Sequence, residues 1–134
     1  MRPSLNRGGH FYEEEAEMRK EVKVGDRIVA LECNAATPFV VKRLFDFDVF
    51  RFFEGTKEMD GWDRVPQLEQ LAYAMAMQAE KPLSEAMNCA DGFYEWLAGF
   101  AFIDILEELL EPAVDLWTKG NTPSSKPKNP QGPQ

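Results

Sequence analysis

The chain has 134 residues, 44% of them hydrophobic, and carries a formal net charge of −8. That length suits one domain with a modest core, and the negative charge repels nucleic acid and acidic lipid, which excludes a general binder of either. No uncharged apolar run is long enough for a bilayer, and Cys33 and Cys89 match no metal or redox spacing, so both are read as small, buried, reduced side chains.

Residues 1–20 read as an arm, flexible or partly helical, with Pro3, Asn6, Gly8 and Gly9 at its start and no apolar stretch of the kind a secretion signal needs. Within it, Glu13–Glu15 and Glu17 precede Arg19 and Lys20, an order that suits the dipole of a short solvated helix. The segment "EVKVGDRIVALEC" then predicts a β-hairpin over 21–34. Gly25-Asp26 makes a two-residue turn, with Gly supplying the positive φ of its first position. In that register Val22 faces Val29, Val24, Leu31 and Cys33 share its side, and Lys23 pairs with Ile28 on the other face.

"ATPFVVKRLF" predicts a helix with Thr37 as N-cap and Pro38 just inside it, Phe39, Leu44 and Phe45 facing inward. Phe47, Val49, Phe50 and Phe53 continue the apolar pattern, and Asp46 or Asp48 opens a second short helix. A polar loop, "GTKEMDG", covers Gly55 to Gly61. Next comes "VPQLEQLAYAMAMQAEK", whose Leu68, Leu71, Ala72, Met75 and Ala79 form one apolar stripe. Pro66 belongs to its first turn and Pro82 stops it. Ser84 is placed as the cap of a short helix, and a break at Asn88–Asp91 leads into "GFYEWLAGF".

The last helix is expected from about Phe102 to Lys119. Ile103, Leu106, Leu110, Val114 and Trp117 form its inner stripe, while Glu107, Glu108, Glu111 and Asp115 lie off it. Pro112 should kink or split it, and Gly120 ends it. Residues 120–134 hold four prolines and two lysines after Gly120, with no acid and no apolar side chain, which predicts a disordered tail or linker. The fold class is therefore mainly α: a small helical domain over 21–119, of about four to six helices, with an N-terminal β-hairpin. Its expected core includes Leu31, Phe45, Leu71, Met75, Leu97, Leu106 and Trp117.

Chemistry is sparse along this chain. The single histidine, His10, lies in the arm, where a general base has no fixed position. No Gly-rich phosphate loop, nucleophile elbow or metal-ligand cluster is present in the sequence. We expect no enzyme, no cofactor and no metal. Ten Phe, three Tyr and three Trp are many for so small a domain, however, and some should remain as a contact patch. Tyr73, Met77, Tyr94 and Trp96 are the contact candidates, the methionine adding an adaptable surface.

Taken in order, the segments resemble one family. "LECNAATPFVVKRLFDFDVFRF" leads an apolar strand into Ala-Thr-Pro and a Phe-x-x-Asp pair, Phe45 and Asp48. Then follow a Leu-Ala-Tyr-x-Met-Ala helix (Leu71, Ala72, Tyr73, Met75, Ala76), the segment Glu95-Trp96-Leu97 and a closing Leu116-Trp117. This order and spacing, over about residues 22 to 121, is similar to the tail assembly chaperones of long-tailed bacteriophages. The loop at Gly55–Gly61, the extension before Glu21 and Pro112 depart from the pattern.

The resemblance implies a non-catalytic protein that binds the long, aggregation-prone tape measure protein, keeps it soluble and assists tail-tube assembly. It implies residence in the host bacterial cytoplasm, absence from the mature virion and a homo-oligomer. It also implies a longer form, made by frameshifting near the end of the gene, that engages the tail-tube protein. Pro127-Lys128-Asn129 can be encoded with the run of adenines such a shift uses, and the tail is suitable material for joining two binding domains. The alternative prompted by charge is a small acidic inhibitor that mimics nucleic acid and occupies a host DNA-binding protein.

Overall fold

The computed structural model describes residues 18–54 and 61–120. Two antiparallel strands, β1 (Arg19–Val24) and β2 (Arg27–Glu32), form the hairpin. Gly25 at the turn has a φ of 65°, a conformation a side chain disfavours. Val22 pairs with Val29 and Lys23 with Ile28, the expected register. Val22, Val24, Val29, Leu31 and Cys33 are buried together, and Ile28 stands exposed on the other face.

The hairpin begins earlier than expected. Arg19 lies opposite Glu32 and its Nη1 is 3.2 Å from Glu32 Oε1, so Arg19 and Lys20 belong to the strand and not to a helix of the arm. Glu13–Glu17 lies outside the described residues.

Helix α1 (Thr37–Phe45) is capped differently from the expectation. Ala36 occupies the cap position, and the Asn34 carboxamide accepts from the Ala36 N–H at 2.8 Å. The Thr37 side chain is fully buried instead. It accepts from the Asn34 N–H at 2.9 Å and donates to Gln78 Oε1 at 2.7 Å, while Gln78 Nε2 donates to Asn34 Oδ1 at 3.2 Å. This closed polar cluster satisfies groups that would otherwise be costly to bury. Val40, Val41 and Leu44 take the inward face, which leaves Phe39, about 100° around the helix from Val40, 67% exposed. Asp46, at a left-handed φ of 57°, closes α1 through its N–H to the Lys42 carbonyl. Asp48 then caps α2 (Val49–Glu54), accepting from the N–H groups of Phe50 and Arg51 at 2.9 and 3.2 Å. Val49 is buried and Phe53 half-buried, but Phe50 is exposed, its ring centroid 5.3 Å from that of Trp117. The loop expected at Gly55–Gly61 lies outside the described residues but for Gly61.

Helix α3 (Gly61–Glu80) is the axis of the molecule. It starts at Gly61, so Pro66 sits a full turn inside instead of in the first turn. Leu68, Leu71, Ala72 and Met75 of the expected stripe are buried and Ala79 is half-buried, and every residue from Leu71 to Gln78 is buried as well. Ala72, Ala74 and Ala76 explain the difference: small side chains let neighbours approach on all sides. α3 packs on β2, on α1, and on the C-terminal helices described next.

Pro82 ends α3 as expected and itself occupies the cap position of α4 (Leu83–Ala86), which places Ser84 inside the helix. A 3₁₀ turn (Ala90–Gly92) leads to α5 (Phe93–Leu97). Helix α6 (Phe102–Asp104) runs through a π-helical turn (Ile105–Leu109) into α7 (Leu110–Gly120). The π turn bonds the Leu110 N–H to the Ile105 carbonyl, one residue further back than an α-helix would. That extra residue changes the inner stripe. Ile105, Leu109, Leu110, Ala113, Leu116 and Trp117 are buried, Leu106 and Val114 only half-buried, and Ile103 is 54% exposed. Pro112 is the third residue of α7, so the irregularity expected of it falls at the π turn just before it. Of the remaining expected core residues, Leu31, Leu71 and Met75 are sealed, Phe45 and Leu97 half-buried. The tail expected beyond Gly120 lies outside the described residues.

Candidate functional site

One shallow groove gathers much of the expected contact set. It has a volume of about 400 Å³ and is lined by Tyr73 and Met77 with Glu80 from α3, by Lys81, Cys89 and Gly92 from the connection, and by Glu95 and Trp96 of α5. The connection is positioned by the Tyr73 hydroxyl, which donates to the Cys89 carbonyl. Gly92 permits this close approach, since a Cβ there would lie 3.1 Å from the phenol oxygen. Around the phenol the rings of Phe45, Phe93 and Trp96 stand edge-on, with centroids 6.0, 5.3 and 5.3 Å away. Trp96 continues to Phe100 at 5.1 Å, and the Arg27 guanidinium covers Phe100 at 4.3 Å from its centroid. The wall of the groove is thus an aromatic chain tied at both ends to the body.

The four contact candidates separate. Tyr73 and Met77 are only 2% and 5% exposed, so they are the floor of the groove and not projecting contacts. Trp96 is half-buried and forms a side. Tyr94 does not line the groove and is 77% exposed, the most open large apolar side chain among the described residues. The sequence reading missed the glycine and the two carboxylates of the lining. It also missed the exposure of Phe39, Phe102 and Ile103. For Phe39 a signal existed: Val40, Val41 and Leu44 already complete one face.

The groove offers binding surface more than reactive groups. Burial pushes the Tyr73 phenol well above its ordinary range, and the neighbouring Cys89 side chain and the charges of Glu80 and Asp91 act in the same direction. It stays neutral at physiological pH. The Cys89 thiol is half-buried, against expectation, and donates to the Ala86 carbonyl at 3.2 Å. The fully buried Cys33 thiol is pushed up by desolvation, against a smaller opposing effect from the Thr37 hydroxyl, which disfavours the reactive thiolate. Glu107, Glu108 and Glu111 lie on the wet face. Glu108 Oε1 accepts from the Gly25 N–H at 2.7 Å, a structural duty. Among the described residues no group of three His, Cys, Asp or Glu could hold a metal ion, and no helix is long and apolar enough to cross a membrane. Comparison with family models, with curated proteins and with solved structures gives no match.

Proposed function

We propose that the chain is a non-catalytic tail assembly chaperone of a long-tailed bacteriophage, which holds the tape measure protein in soluble form while the tail tube assembles around it. The observation that carries this reading is the open aromatic groove of Tyr73, Met77 and Trp96 on an acidic body. Tyr94, Phe102 and Ile103 stand exposed on the same stretch of chain. An amphipathic helix of a client lays its apolar stripe into such a groove, and the half-buried Trp96 is the kind of anchor that dominates such contacts. The net negative charge keeps the loaded complex dispersed. In this reading the protein works in the host bacterial cytoplasm and is left out of the virion. Residues 121–134 join it, in a frameshifted longer form, to a part that engages the tail-tube protein.

Co-expression with the tape measure protein tests this directly. Wild-type chain should bring the client into the soluble fraction and co-elute with it. The pair Tyr94→Ala and Trp96→Ala should lower that recovery severalfold while the variant itself stays folded. A client that remains insoluble beside the wild type, or is rescued equally by the double variant, would overturn the reading.

A further inference from the structure

The outer edge of β1 carries backbone groups with no partner among the described residues. The Cys33 N–H donates to the Met18 carbonyl and Val22 lies opposite Val29, which fixes the even-numbered residues of β1 as those bonded to β2. The backbone groups of Arg19, Glu21 and Lys23 therefore point away from the hairpin, and no described residue bonds to them. The side chains of Arg19, Lys20, Glu21 and Lys23 are all exposed. Arg19 is engaged with Glu32, but Glu21 and Lys23 have no ion-pair partner among the described residues. The edge of β2 is less open, because Arg27 reaches across to the Gly99 carbonyl and covers Phe100.

An unpaired strand edge is a template for another strand, and lysines on it ordinarily discourage pairing. Here opposite charges alternate, so the outcome depends on register. A two-fold antiparallel pair centred on Glu21 sets Glu21 against its own copy and Arg19 against Lys23, every outward contact like-charged. Centring on Lys20 or on Lys23 sets a lysine against its own copy, and the Arg19–Glu21 pairs that the Lys20 register would offer compete with the pairing Arg19 already makes to Glu32. Centring on Val22 sets Glu21 of each copy against Lys23 of the other with no like charges opposed, and the two Val22 residues meet at the axis. We infer that the protein forms a homodimer through β1 edges in this Val22-centred register, joining two hairpins into one four-stranded sheet. A strand-edge interface is small, so the dimer is weak and depends on concentration and salt. The inference gives a surface to the self-association that accompanies the chaperone reading, and the two are tested separately.

Sedimentation of the full chain measures the dimer. Glu21→Lys and Lys23→Glu should each weaken it about tenfold or more, because each replaces two attractive cross-strand pairs by two repulsive ones. The double variant, with the charges exchanged, should dimerise as the wild type does. Mixing the two single variants should give a heterodimer, since the lysines of one then meet the carboxylates of the other. That rescue cannot come from misfolded chains. A wild type that stays monomeric at about 1 mM overturns the inference, as does a dimer indifferent to both variants or variants that mixing fails to rescue. A monomeric wild type that still solubilises the client would remove the edge pairing and leave the chaperone reading standing; a dimer without client activity would do the reverse.

Discussion

The half of the molecule built on α3 and the hairpin contrasts with the stretch from Leu83 to Ile103. In the first, eight consecutive residues of α3 are buried and even the polar groups of Thr37 and Gln78 bond each other away from water. In the second, helices of three to five residues alternate with turns, and Leu83, Tyr94, Phe102 and Ile103 remain exposed. Short helices gain little from their own hydrogen bonds and have too few faces to hide every ring. The same kind of residue is therefore a packing element in one half and an available surface in the other. Small alanines make the difference in α3, where they let neighbours close in.

The comparison is sharpest in stability. Leu71→Ala, at a site 1% exposed, should cost about 3 kcal/mol in urea denaturation. Tyr94→Ala should change stability by less than about 0.5 kcal/mol. Similar losses at both sites would erase the distinction between the halves. A smaller effect is expected from Gln78→Leu, which leaves Thr37 and Asn34 short of a partner inside the sealed half and should cost about 2 kcal/mol in the same measurement.

The smallest effect is electrostatic. Burial raises the pKa of Glu69 on α3, so its charged form is disfavoured in the folded chain. The folded state then binds the proton more tightly than the unfolded one, and stability falls as pH rises through the window above the ordinary value of 4.5. Glu69→Gln should therefore stabilise the protein slightly at pH 7, with the gain vanishing in acid. A thermal-melting series over pH 3 to 8 reads both ends, and a gain that persists below that window would show a different cause.

Much of the sealed half was legible in the sequence. A strand has a period of two and Gly25 marks the turn, so one register alone puts Val22, Val24, Val29 and Leu31 on a common face. A cap at Asp46 or Asp48 was legible because short acidic side chains precede an apolar run, and the structure gives the role to Asp48. What stayed hidden depends on neighbours distant in the chain. Thr37 has the chemistry of a cap, but Gln78, 41 residues away, claims its hydroxyl. The phase of the last helix was lost at the π turn, since counting by 3.6 cannot register an inserted residue. The groove was half legible: Tyr73, Met77 and Trp96 do meet, but Tyr94, two residues from Trp96, does not join them. A five-residue helix is too short for periodicity to say which ring is which.

The bond between Gly25 and Glu108 bears on how the protein is made. The turn is among the first described residues to leave the ribosome, and its acceptor follows 83 positions later. A nascent chain halted at Phe100 would carry both strands and the long central helix, with the faces that later meet the π turn and α7 still uncovered. Closure must wait until the segment from Phe102 onward has been made. A protein that we read as guarding another from aggregation thus passes through a period in which it needs guarding itself.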